Sequence, residues 1–363
     1  MSPSVTITSL QETHGAAEAL TESCALDIAG CRVLVRSNSA AAIAALAEYF
    51  RAYRVAGVDA PHFVCAMVQR NPLQLDLEWG DWPREAGKSG LKERIADVDD
   101  GRVIWKVRTG MMFLLRPALA MAVGPCMDNL NQVINLVNNQ YISWVMARDW
   151  QLCHAAGVGL AGAGLGLAGT SGAGKSTLAL RLLERGADFV SNDRLLVSGA
   201  GLDVRMRGIP KQPRVNPGTL LSLPSLEGIL DASRANELRG LPKEELWDLE
   251  EKYDVDVERV YGEGRQAAEL PMRAFCVLTW SFRNEAPCEI TRTTLAEQPE
   301  LLEPIMKHPG PFFHTGERYD TRGSACALEP APYLEVLGSV PLLAISGGVD
   351  FPRALEACLE VLA

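Results

Sequence analysis

The stretch Gly169-Thr170-Ser171-Gly172-Ala173-Gly174-Lys175-Ser176-Thr177 satisfies the pattern GxxxxGK[ST] in full. Each residue type in it is one that phosphate chemistry needs. Glycines let the backbone turn tightly and bring its N–H groups close to phosphate oxygens. A helix starting just after them adds its partial positive charge at the same spot. Lys175 supplies a mobile point charge for the β- and γ-phosphates, and the Ser176 hydroxyl is suited to ligate Mg²⁺. The pattern predicts a site for a nucleoside triphosphate and says nothing of the reaction.

Neighbouring residues narrow the chemistry. Phe189-Val190-Ser191-Asn192-Asp193 reads as a short strand ending in an acid, where phosphate-loop proteins commonly hold Mg²⁺ directly or through water. Asp193 is therefore predicted as the metal-side ligand or the base. His154 lies fifteen residues before Gly169 and is a second candidate. Arg205, Arg207, Lys211 and Arg214 gather four cations in ten residues, a group that fits either a phosphate-facing wall or a solvated loop. Gly87-Lys88-Ser89-Gly90 lacks the first glycine and the apolar flanks, and is read as a turn.

These groups need a scaffold. Leu165–Ala168 is predicted as the strand entering the glycine loop, and Leu178, Leu182 and Leu183 mark one face of the helix leaving it, which Gly186 can end. Further strands are expected at Phe189–Val190, Leu195–Val197, Ala274–Trp280 and Leu342–Ile345, with a helical tail at Phe351–Leu362. Residues 218–264 are polar, helical in pieces, and include a run, Glu244–Lys252, read as a solvated helix face. Ahead of this lies a smaller α/β unit. Cys24–Ile28 and Cys31–Arg36 flank a hairpin turn at Ala29-Gly30, Ser37-Asn38-Ser39 caps a helix running to Tyr49, and Asn129–Arg148 is helical. The chain is expected to divide near residue 145, into an N-terminal α/β domain over 1–145 and a second domain over 146–363.

Composition bounds the function classes. The 363 residues carry 35 Lys+Arg against 45 Asp+Glu, a net charge of −10, which argues against general nucleic-acid binding. Hydrophobic residues make up 47 %, enough for two real cores. Neither a signal peptide nor an apolar run of the ~20 residues a membrane span needs is visible. Nine scattered cysteines without a CxxC pair read as reduced thiols. A cytoplasmic location follows as the expectation, with no nucleic-acid or membrane partner.

His154, Gly162, Gly164, Gly169–Ser176, Arg185-Gly186 and Asn192-Asp193 occur in an order and at a spacing that resemble the HPr kinase/phosphorylase family without a gap. Arg207-Gly208-Ile209 and Lys252-Tyr253-Asp254 resemble that family's later elements. The likeness is specific over about residues 150–215, weaker to about 285, and absent before them. It is nearest to the divergent group called HPr-kinase-related kinase B. The resemblance implies an α/β fold with a P-loop kinase domain of the HPr kinase/PEP carboxykinase-like type. It also implies ATP and Mg²⁺ as ligands, the loop Gly169–Thr177 as their cradle, and Lys175, Asp193 and His154 around a γ-phosphoryl group passing to a hydroxyl, with serine of a protein as acceptor. Family members commonly form homo-oligomers. Three departures stand out: the first of the family's paired acids is Asn192, the acid that precedes its Arg-Gly segment is replaced near Arg205-Met206, and a later arginine is Val255. If both carboxylate roles are required, another acid, such as Asp203 or Asp254, must supply the second. The departures argue against the reverse, phosphorolytic reaction and leave an ATPase or an ATP-sensing module as the alternative to a kinase.

Overall fold

The computed structural model describes residues 5–15, 19–83, 90–170, 172–201, 203–316, 318–319 and 327–363. Ser171, the segment Gly87-Lys88-Ser89 and Cys326 lie outside them. The protein is mixed α/β with open sheets, and it separates into two compact units. One comprises residues up to Asp149 together with His308–Leu328; the other comprises Trp150–Lys307 and Glu329–Ala363. The division falls four residues beyond the expected boundary, because helix Leu130–Met146 buries Val133, Val137, Tyr141 and Val145 and packs on first-unit strands Phe63–Gln69 and Leu119–Gly124. The described residues of His308–Leu328 fall within the expected second domain but group with the first unit.

The first unit is built on a nine-stranded mixed sheet. Its hairpin Glu22–Ile28/Cys31–Ser37 turns through Ala29 and Gly30, both at positive φ, which is what a two-residue primed turn demands. Ser39 caps helix Ala40–Tyr49 by accepting from the Ala42 amide.

In the second unit we number the strands β1 (Gln151–Cys153), β2 (Ala155–Leu160), β3 (Ala163–Gly169), β4 (Asp188–Ser191), β5 (Leu195–Ser198), β6 (Arg205–Arg207), β7 (Glu269–Leu278), β8 (Glu289–Thr293) and β9 (Leu342–Ser346), with helices α1 (Lys175–Glu184) and α2 (Phe351–Leu362). The long strand β7 runs parallel to β3 along one edge. On its other edge the first three residues pair antiparallel with β6 and the last four parallel with β9, so the sheet forks there. One branch continues β6-β5-β1; on the other side β3 continues to β2 and β4.

The glycine-rich segment before the loop has a packing cause. β2 and β3 form a hairpin in which Gly157 faces Gly166, Val158 faces Leu165 and Gly159 faces Gly164. Strand alternation puts these glycines on one face and Val158, Leu165 and Leu167 on the other. The apolar face joins the same core as Leu178, Leu182 and Leu183 of α1. On the glycine face a Cβ would meet the side chains of Leu195 (2.7 Å), Leu270 (2.1 Å), Met206 (2.5 Å) and Phe275 (2.7 Å) at positions 157, 159, 164 and 166. The missing side chains make room for a second layer.

Among the described residues, no helix is long and apolar enough to cross a membrane.

Candidate functional site

β3 ends at Gly169, whose φ of +147° and whose Cβ position 2.5 Å from the Leu278 carbonyl oxygen both require glycine. The chain then turns through Gly172 (φ +82°) and Gly174 (φ +86°) into α1. Gly174 is the residue preceding the first helical turn, and a Cβ there would stand 2.7 Å from the Phe351 ring. Trp280 fixes the loop from below by donating its indole N–H to the Ala173 carbonyl at 2.7 Å. At the far end of α1, Gly186 takes positive φ and the guanidinium of Arg265 donates to the carbonyls of Leu183 and Ala187, satisfying groups the helix leaves open.

Lys175 is buried, and its ammonium donates to the carbonyls of Gly169 (2.7 Å) and Thr170 (3.2 Å). Burial depresses it to about 8; Asp193 opposes the fall and Lys307 adds to it. The Ser176 hydroxyl donates to Asn192 Oδ1 at 2.8 Å. Thr177 shares a hydroxyl hydrogen bond with Thr219 at 2.8 Å.

Antiparallel pairing of β2 with β4 sets Gly157 beside Ser191, which brings the start of β2 to the end of β4. His154 precedes the first and Asp193 follows the second. Their side chains meet, with His154 Nε2 3.4 Å from Asp193 Oδ1, and Lys307 Nζ lies 3.8 Å from Asp193 Oδ2. The walls of the cleft would raise the Asp193 carboxyl, but the hydrogen bond with His154 and the charges of Lys307, His154 and Arg194 outweigh this and hold it well below the usual carboxylate range. For His154 the bond to Asp193 pulls upward, while burial, Lys307 and Lys175 together pull further down. Its pKa lies below the ordinary value of 6.5.

Around these groups opens a cleft of about 960 Å³, near the upper end of the range for small-molecule sites. Thr170, Gly172–Thr177, His154, Asn192 and Asp193 line it; Gly169 does not, serving through its carbonyl and its turn. The cationic group predicted from sequence is split. Arg205 and Arg207 lie on β6, both bonded to Glu269, with Arg207 stacked 4.6 Å from the Trp150 ring, and neither lines the cleft. Lys211 and Arg214 do line it. Asp203 is exposed and Asp254 is paired with Arg214 at 2.9 Å; neither lines the cleft.

Sequence reasoning did not single out Lys307 or the aromatic rim. Trp247 and Phe282 face each other at 4.5 Å on the cleft wall, with Phe351 5.2 Å from Trp280 behind them. A tryptophan inside the charged run Glu244–Lys252 was the one local sign of that rim. Both Trp247 and Phe282 are exposed, among the few large apolar residues that are.

The oxygen donors fit a hard cation. Ser176 Oγ and Asn192 Oδ1 stand together beside Asp193, and Mg²⁺ takes one or two protein oxygens and fills its remaining positions with phosphate and water. Among the described residues no cluster of three or more His, Cys, Asp or Glu side chains could hold a metal by itself. The described cysteines are all buried and unbridged.

No family model matches this chain, and no curated protein does. Among solved structures it is similar to the Hpr(Ser) kinase/phosphatase from Coxiella burnetii, at 12 % identity and a TM-score of 0.27, over 58 % of this chain and 87 % of that one.

Proposed function

We propose that the second unit is an ATP-dependent kinase that transfers the γ-phosphoryl group to a hydroxyl. The observation that carries this reading is the convergence of Asp193, His154 and Lys307 beside the glycine loop that holds Lys175. Phosphoryl transfer passes through a loose transition state in which positioning and charge stabilisation do most of the work. Lys175 would leave its carbonyl partners for the β- and γ-phosphates. Ser176 and Asn192 would hold Mg²⁺, which when bound neutralises charge on the phosphate oxygens. Asp193, kept ionised, accepts the hydrogen bond of the attacking hydroxyl and aims its oxygen. That oxygen bonds to the γ-phosphorus, the bond to the β,γ-bridging oxygen breaks with its electron pair leaving on ADP, and the hydroxyl proton passes to the Asp193–His154 pair. The order of residues from His154 to Asp193, which resembles the HPr kinase/phosphorylase family, supports the same assignment and suggests a protein serine as one acceptor.

The test is transfer from γ-labelled ATP with Mg²⁺ into host lysate. Lys175→Met removes charge-assisted phosphate contacts worth roughly 1.5–3 kcal/mol, so ATP affinity should fall about 10- to 150-fold and labelling should disappear. Equal labelling by wild type and variant would sink the proposal. A second reading, an ATPase or ATP sensor, draws on the amide at Asn192 where the family carries an acid. It is favoured if phosphate is released with no labelled acceptor, and further if Asn192→Asp creates transfer that the wild type lacks.

A further inference from the structure

Resting on the kinase reading, we infer that Trp247 and Phe282 hold the base of the donor nucleotide. The base stacks on the pair these two rings form, so the cleft selects a base-bearing donor over a bare polyphosphate. Of the five large apolar side chains exposed among the described residues, only these two are aromatic. They face each other on the cleft wall at 4.5 Å, with their planes 31° apart. Such a pair leaves flat apolar area open to the cleft, and a nucleobase covers it with a π-face of its own.

The sheet decides which end of the nucleotide meets them. β3, β7 and β9 run parallel, and β4 runs parallel to β3 because each pairs antiparallel with β2. Their carboxyl ends therefore lie at one end of the sheet in the order β4, β3, β7, β9, with β2 between the first two. That is the end at which open α/β sheets bind ligands. The glycine loop leaves from β3. Asp193, with His154 and Lys307, stands beyond β4 on one flank. On the other flank Phe282 follows β7, and Phe351 opens α2 after β9. A triphosphate in the loop with its γ-phosphorus toward Asp193 must lead its sugar and base the opposite way, toward β7.

Two tethers set the rings beside the loop. Trp280, whose indole donates to the Ala173 carbonyl, precedes Phe282 by two residues, at most ~7 Å of chain. Its buried ring stands 5.2 Å from Phe351, which in turn stands 6.4 Å from Phe282 and packs against Gly174 of the loop. Trp247 is tied through its neighbour Leu246, whose side chain would lie 3.8 Å from a Cβ at Gly218. The next residue, Thr219, shares the hydroxyl hydrogen bond with Thr177. The residues that shape the loop thus also place both rings.

The full chain with Mg²⁺ is titrated calorimetrically, at fixed pH and ionic strength, with two ligands. One is the non-hydrolysable β,γ-methylene ATP analogue; the other is the matching analogue of ribose 5-triphosphate, which keeps the sugar and phosphates and lacks the base. Trp247→Ala and Phe282→Ala should each weaken the ATP analogue about fivefold or more, the loss that follows truncation of a stacking ring, and change the base-free ligand less than about twofold. Both side chains are exposed, so the fold does not rest on them. Trp247→Tyr should keep most of the wild-type affinity and Trp247→Leu should not, which separates ring stacking from apolar contact. The inference is overturned, with the kinase reading left standing, if the ATP analogue binds in a Lys175-dependent way and the alanine variants either spare it or weaken both ligands alike. Equal wild-type affinity for the two ligands, or a leucine variant that binds as well as the tyrosine one, overturns it too. Failure of the wild type to bind either ligand overturns the kinase reading and this inference with it.

Discussion

Burial brings the Lys175 ammonium to an acidity close to physiological pH, and that has a measurable consequence. With its ammonium near 8, about half of it is uncharged at pH 8. A bound triphosphate favours the charged form and raises the group, so binding at pH 8.5 must take up protons, and affinity must fall as pH rises, by at most about tenfold per unit. Below about pH 7 this group contributes no uptake. Titrating the ATP analogue into the protein in two buffers of different ionisation enthalpy at pH 8.5 reads the uptake directly. Lys175→Met should remove most of it. Zero net uptake in the wild type would show that the lysine does not meet phosphate. The side chains in this argument differ in how far sequence revealed them. Lys175, Ser176 and Asp193 belong to one continuous strand-loop-helix-strand stretch, and local spacing marks them. Lys307, Trp280 and Phe351 reach the site from more than eighty residues further on, and no local pattern ties them to it.

At the scale of elements, the glycines of the β2–β3 hairpin are a packing device as much as a preface to the loop. The sequence shows a glycine-rich strand, and alternation alone would separate its two faces. What fills the glycine face comes from β5, β6 and β7, strands that only the folded topology brings there. Gly166→Ala places a methyl 2.7–2.9 Å from three atoms of the Phe275 ring, which is itself 1 % exposed and has little room to yield. Overpacking of this kind costs roughly 1–3 kcal/mol. Urea unfolding followed by circular dichroism should show that loss for Gly166→Ala and almost none for Gly57→Ala, whose Cβ meets nothing within 4 Å and whose φ is not positive. If both variants unfold alike, the second layer does not press on the hairpin as its geometry says. The same logic explains why the strand-loop-helix context was readable in the sequence while the forked sheet was not. The former is set by neighbours along the chain, the latter by pairings across more than sixty residues, such as Arg207 with Glu269.

At the scale of the whole molecule, the excursion His308–Leu328 decides what can be cut from what. Its attachments are to the first unit: the Phe312 ring stands 5.2 Å from Phe113, Arg102 donates to the Pro311 carbonyl at 3.0 Å, and the Lys106 ammonium lies 5.0 Å from the Phe312 ring. The two ends of the second unit that flank it are neighbours. Tyr333 Oη lies 3.5 Å from the Lys307 amide and donates to the Leu152 carbonyl at 2.7 Å, while Met306 bridges Cys153. Glu329 lies four residues before Tyr333 and two before the helix Ala331–Leu337, at most ~14 Å of chain. A linker of about ten Gly and Ser residues, reaching up to ~33 Å, therefore spans the gap from residues 150–307 to 329–363. This joined fragment should be monodisperse on size exclusion and should bind the ATP analogue within about threefold of the full chain, because the described lining of the cleft belongs entirely to it. The uninterrupted fragment 146–363 should fare worse. It keeps Phe312, 5 % exposed in the intact fold, while losing Phe113 and Lys106, and so presents apolar surface that favours association. The opposite ranking, with the uninterrupted fragment soluble and competent and the joined one unfolded, would show that residues 308–328 complete the second unit and that the division at Asp149 does not mark a folding boundary.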